Sequence, residues 1–126
     1  GKQERIEISP CPFPPQAWID SPEAEAKLSG KTIISGWAYN EDLGIKSVQI
    51  MLNERFATEA TYGLERKDVV TAMNVQNDPN IPNLGFEVRI DTTDFENGNY
   101  WLELELVNGL GNTVRYGKRS IEINNP

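Results

Sequence analysis

Residues 36–40 read Gly36-Trp37-Ala38-Tyr39-Asn40, and the reading of this short stretch decides the fold. Thr32 to Tyr39 carries Ile33, Ile34, Trp37 and Tyr39. Branched and aromatic side chains of this kind pack well on a pleated surface, so the segment is expected as a strand. Gly36 in its middle has no side chain to pack, which predicts a ring or a backbone lying close against it. Asn40-Glu41-Asp42-Leu43-Gly44 then turns the chain. Trp37, together with Trp18, is expected to fill the core or the space between two sheets.

The segments on either side read as neighbouring strands. Downstream, Val48, Ile50 and Leu52 alternate with Gln49, Met51 and Asn53, the period-2 signature of a strand with one buried face. Asn53-Glu54 sits where a hairpin turn belongs, and Arg55 to Thr61 returns antiparallel until Tyr62-Gly63 breaks it. From Glu65 to Asn74 the period changes, with Val69, Val70 and Met73 at helical spacing. Asp78-Pro79 and Ile81-Pro82 mark a loop. Alternation is strongest in the last half. Phe86, Val88 and Ile90 oppose Glu87, Arg89 and Asp91, while Tyr100, Leu102, Leu104 and Leu106 oppose Trp101, Glu103, Glu105 and Val107. Gly109-Leu110-Gly111-Asn112 supplies a hairpin to a final strand, Thr113 to Ile123, with Ile121 and Ile123 inward.

Upstream, Ala17 to Asp20 can start the sandwich and residues 23–28 suggest a helical turn. Ser9 to Gln16 contains Pro10, Pro12, Pro14 and Pro15, which block helix and ladder donors alike. Ile6-Glu7-Ile8 reads as a short edge strand, and with Gly1-Lys2 it echoes Gly117-Lys118 and Ile121-Glu122-Ile123. The expected organisation is an N-terminal arm and proline-rich linker over residues 1–16 and one β-sandwich domain over 17–124. About seven short strands, nearly free of helix, argue for two packed antiparallel sheets with one short helical turn near residues 66–74.

Composition narrows the function. The 126 residues hold 19 acidic and 12 basic side chains, a formal charge of -7, which repels phosphate backbones and anionic membranes. No nucleic-acid partner is expected. There is no histidine, which removes Ser-His-Asp and Cys-His catalysis and every histidine-based zinc site. The single Cys11 has no intramolecular disulfide partner. No run of about 18 apolar residues is present, so no membrane insertion is expected. No cofactor is implied.

Gly36-Trp37-Ala38, Leu43-Gly44-Ile45 leading to Val48, Ala60-Thr61-Tyr62-Gly63-Leu64, Arg66-Lys67-Asp68-Val69, Gly85-Phe86, Asn97-Gly98 and Gly109-Leu110-Gly111-Asn112 follow one another in a recognisable order. Over residues 18–124 that order resembles a family of bacterial immunoglobulin-like domains, accessory modules of secreted and cell-surface proteins. The family tends to have Asp-Gly where this chain has Asn53-Glu54, and proline where it has Lys67. The resemblance implies an immunoglobulin-like antiparallel sandwich, an extracellular or cell-surface location, and structural roles for Trp37, Arg66, Asp68 and Phe86. Arg66 and Asp68 are expected to cap the short helix and tie it to the sheet.

The functional expectation is a non-catalytic module acting as spacer or protein-interaction domain, its partner another domain of the parent protein or a surface glycan or protein. The alternative is a carbohydrate-binding module. Alternation sends Trp101 outward on the same face as Glu103 and Glu105, giving an aromatic platform flanked by carboxylates. Those two glutamates also suggest glycoside hydrolysis, but neighbours on an open sheet face lack the cleft that separates two carboxyl pKa values. Asp91, Asp94 and Glu96, or Glu41 and Asp42, are oxygen donors that match no calcium-loop spacing.

Overall fold

The computed structural model describes residues 14–126. The expected strand at Ile6-Glu7-Ile8, with Gly1-Lys2 the N-terminal half of the echo, and the Cys11 thiol lie outside them. The elements are β1 (Gln16–Ser21), β2 (Lys27–Leu28), β3 (Lys31–Tyr39), β4 (Ile45–Leu52), β5 (Arg55–Leu64), α1 (Lys67–Ala72), β6 (Gly85–Asp91), a 3-10 turn (Thr92–Asp94), β7 (Gly98–Asn108) and β8 (Thr113–Ile123).

Hydrogen bonding links the strands in the order β1-β3-β6-β5-β4-β7-β8-β2, and β5 makes two layers of this ribbon. Its first half pairs with β4, from Leu52↔Arg55 to Val48↔Ala60. Its second half pairs with β6 at Thr61↔Glu87 and Tyr62↔Phe86. One layer is therefore β1, β3, β6 and the end of β5; the other is the start of β5 with β4, β7, β8 and β2. Ile34, Phe86 and Ile90 of the first share a buried cluster with Val48, Ile50, Leu102, Leu104, Leu106 and Ile121 of the second. This is an immunoglobulin-like sandwich, with β1 and β2 on opposite layers and β2 running parallel to β8.

The burial of β7 follows the expected alternation, Leu102, Leu104 and Leu106 inside and Trp101 outside. Several expectations are corrected. Eight strands form among the described residues, because residues 23–28 make a turn and then the two-residue β2 instead of a helical turn. A two-residue parallel pairing leaves no periodic trace in sequence. Tyr62-Gly63 does not end β5: the strand changes sheets between Ala60 and Thr61, and Gly63 takes a φ of +107° where the β5–β6 ladder then shifts register. Met51 is buried rather than outward, since the β4–β5 ladder slips between Ile50 and Met51. Trp18 is 54% exposed.

The opening stretch is likewise divided between two cores. Gly36 and Ala38 face inward, Gly36 lying across the ladder from Phe86. A Cβ on Gly36 would come within 2.9 Å of the Phe86 ring and would overlap the Trp18 carbonyl oxygen, so the expected ring and backbone are both there. Trp37 and Tyr39 alternate to the other side and stack with ring centres 5.9 Å apart. They join Val69, Val75 and Leu84 in a second cluster beneath α1 and the loop after it. Trp37 thus packs outside the sandwich, not between its sheets.

The first and last described segments lie at opposite ends of β3. Gln16 pairs with Tyr39, the last residue of β3, whereas Asn125 bonds Gly30, just before its first. Nine residues of β3 separate these points, ~27 Å of extended chain. The exit is clamped: the Asn125 carboxamide accepts from Gly30 N (2.8 Å) and donates to the Thr92 carbonyl (3.2 Å), while its backbone exchanges two bonds with the Asn97 side chain (2.8 and 3.0 Å).

Candidate functional site

Trp101 is half exposed, at 51%, on the outer face of β7. Its backbone is fixed on both sides by the hairpin tip: Trp101 N donates to Asn53 Oδ1 and Asn53 N donates to the Trp101 carbonyl, each at 2.9 Å. That tip is a two-residue turn with φ of 52° at Asn53 and 66° at Glu54, the left-handed pair that matches strand twist. Ser120 lies opposite Trp101 and Glu122 opposite Asn99 on the β7–β8 ladder. Lys118, one outward position from Ser120 along β8, places Nζ 5.1 Å from the Trp101 ring centre. At an exposed site such a contact contributes about 0.5–1 kcal/mol. The β1–β2 turn closes the surface, with Glu25 in a left-handed conformation (φ 65°) and its amide bonded to the Ser120 carbonyl at 2.6 Å. Glu25, Asn99, Trp101, Ser120 and Glu122 line a groove of about 480 Å³.

Glu103 and Glu105 do not belong to this groove. Both face Arg115, whose Nη1 lies 3.4 Å from Glu103 and Nε 2.9 Å from Glu105. The Glu105 bond holds the guanidinium pKa above its usual value, Glu103 adding to it. Acceptors occupied in this way are poorly placed to serve a ligand hydroxyl. The structure therefore brings Trp101 together with Glu25 and Glu122 instead. The phase of these positions is readable, since inward Ile121 and Ile123 put Ser120 and Glu122 outward. The register that sets them beside Trp101 is not.

A second exposed aromatic flanks the same turn. The Arg119 guanidinium lies 5.0 Å from the Trp18 ring centre and donates to the Pro22 carbonyl at 2.9 Å. Burial pushes the Arg119 pKa down, Asp20 partly opposing. The groove there is lined by Trp18, Asp20, Glu23, Lys118 and Arg119 among others.

The remaining named residues have structural surroundings. Arg66 occupies the N-cap of α1 but makes no side-chain capping bond. It donates to both Asp68 oxygens (3.0 and 2.9 Å) and reaches Asp20 of β1 at 2.9 Å, strapping the helix across the sheet. The guanidinium holds the Asp68 carboxyl below its ordinary value, assisted by amides at the helix start. Phe86 is buried against Gly36, and Asp78 is buried where it accepts from the Asn40 and Asn80 amides at 2.8 and 2.7 Å. Asp91 accepts from the amide and hydroxyl of Thr93, and Glu41 from the amides of Gln76 and Asn77. Among the described residues no group of three metal-ligating side chains is assembled, and no helix is long and apolar enough to cross a membrane.

No protein-family model matches the chain, and no curated protein matches its sequence. Solved structures match its shape. An endo-β-1,4-mannanase from Thermotoga petrophila superposes with a TM-score of 0.63 at 11% identity, over 90% of this chain and 20% of the mannanase. The fibronectin(III)-like modules of Clostridium thermocellum CbhA superpose with a TM-score of 0.56 at 14% identity, over 86% of this chain and 94% of the module. An engineered protein gives 0.54 at 13% identity, over 94% of this chain and 21% of that one. The chain spans about a fifth of the mannanase. At these identities the likeness establishes the fold, an immunoglobulin- and fibronectin-like sandwich.

Proposed function

We propose that this chain is a non-catalytic accessory module of a bacterial secreted or cell-surface protein, holding neighbouring domains of the same polypeptide apart in line. The observation that carries this reading is the path of the chain, which enters beside Tyr39 and leaves beside Gly30, at opposite ends of β3, through an exit fixed by Asn125. A module built this way transmits direction from one neighbour to the next. The fibronectin(III)-like modules of CbhA and the mannanase region of the same shape support it as examples of the fold within larger polypeptides. The absence of histidine and the pairing of Glu103 and Glu105 with Arg115 favour a non-catalytic role.

Small-angle scattering from two copies of residues 1–126 joined head to tail tests this. An in-line module gives a maximum dimension close to twice that of one copy. A dimension only slightly larger than one copy, as for two domains lying side by side, overturns the spacer reading.

A further inference from the structure

We propose that the groove around Trp101 is a binding site for a neutral saccharide, with the indole as stacking platform and Glu25, Asn99, Ser120 and Glu122 as hydroxyl partners. The ring is presented rather than packed: half its surface is open, and both backbone groups of Trp101 are tied to Asn53, so the strand position that carries the ring is fixed. Around it the outward side chains are an amide, a hydroxyl and two carboxylates. Ile121 and Tyr100 also line the groove, but Ile121 is buried and Tyr100 is half-buried against the core, so the exposed apolar surface there is the Trp101 ring. An aromatic platform surrounded by polar groups suits a pyranose, which has an apolar C–H face and a rim of hydroxyls that donate to carboxylates and exchange bonds with amides and alcohols. A protein partner would seek a buried apolar anchor.

Charge narrows the class further. Two carboxylates in the groove and a net charge of -7 disfavour uronic acids, sulfated glycans and phosphates. Lys118, the one cation at the ring among the described residues, is itself exposed and unbranched, so it can swing from the indole to a sugar oxygen. The site is independent of the in-line arrangement proposed above, and either can stand without the other.

Native gels cast with galactomannan, xylan, hydroxyethyl cellulose or soluble starch test the assignment, with polygalacturonate as the acidic control. At least one neutral polysaccharide is expected to retard the protein and polygalacturonate is not. Trp101→Ala should weaken retardation by about tenfold or more. Trp18→Ala removes an equally exposed indole over Arg119 and should leave retardation unchanged. Glu25→Ala with Glu122→Ala should weaken it without lowering the melting temperature, which separates loss of contacts from loss of fold. No retardation by any neutral polysaccharide, retardation unchanged in Trp101→Ala, or retardation lost only in Trp18→Ala overturns the proposal. So does retention of a protein partner through Trp101 when no polysaccharide is bound.

Discussion

Replacing Gly36 with alanine adds one methyl group where two immobile neighbours already stand. The new Cβ would lie 2.9 and 3.0 Å from Phe86 ring carbons and overlap the Trp18 carbonyl. Phe86 is 1% exposed, so its ring has nowhere to rotate, and a carbonyl in a strand has no rotamer at all. Overpacking of this kind costs about 1–3 kcal/mol. Displacing β1 from β3, where Trp18 pairs with Trp37 and Ile19 with Gly36, adds a comparable amount through weakened ladder bonds. Against this, alanine has fewer unfolded conformations than glycine, returning about 0.4–1 kcal/mol. The net expectation is a loss of about 3 kcal/mol, a fall in melting temperature of about 10–15 °C for a domain of this size. Calorimetry and urea unfolding measure it directly. In a double-mutant cycle with Phe86→Leu, only the ring contact is relieved, so the coupling should recover part of the loss and not all. A Gly36→Ala protein melting within about 3 °C of wild type would refute the reasoning, and complete recovery with Phe86→Leu would show that the Trp18 carbonyl imposes no constraint.

Glu54 pays for a left-handed conformation that glycine adopts freely, so Glu54→Gly should stabilise by about 1 kcal/mol in thermal melts. Arg66→Leu removes the strap between α1 and β1. Because its partners are well exposed, the cost should stay near or below about 1 kcal/mol, with faster amide exchange confined to α1 and the following loop. Burial raises the Asp78 pKa above 3.8, with Glu41 adding to it and two amides opposing. The folded state then keeps this proton where the unfolded state has lost it, so its contribution is greatest below pH 3.8 and falls as pH rises through the folded value. The stability of wild type relative to Asp78→Asn should accordingly fall with rising pH across that window; a pH-independent difference would exclude Asp78 as the titrating group. Asp68 and Asp91, both held below 3.8, act in the opposite sense and lose their contribution as pH falls. Asn125→Ala strands the part-buried Gly30 amide and removes one of two donors to the Thr92 carbonyl, which keeps its bond from the Phe95 amide, and should cost about 1 kcal/mol; in the tandem protein it should broaden the scattering distance distribution.

Much of this was open to reading in the chain. The alternation of Leu102, Leu104 and Leu106 against Trp101, Glu103 and Glu105 fixed which residues go inside, because a strand has a period of two whatever it packs against. The change of period around Val69 and Val70 located α1, and Gly36 announced a close approach that the structure fills with Phe86 and Trp18. Tertiary structure decided the rest. Whether an outward residue is free or covered depends on what lies over the sheet: α1 and the loop after it cover Trp37, Trp18 stays half exposed beside Arg119, and local sequence distinguishes neither. Which acids stand beside Trp101 depends on ladder register and on the turn that brings Glu25 to Ser120, a contact 95 residues apart in sequence. Arg115 takes Glu103 and Glu105 for the same reason, through pairing between strands. Sequence by itself determined the faces of the strands, since those follow from local backbone geometry; only the folded chain decided which faces meet, which stay open, and that the two ends of the domain point apart.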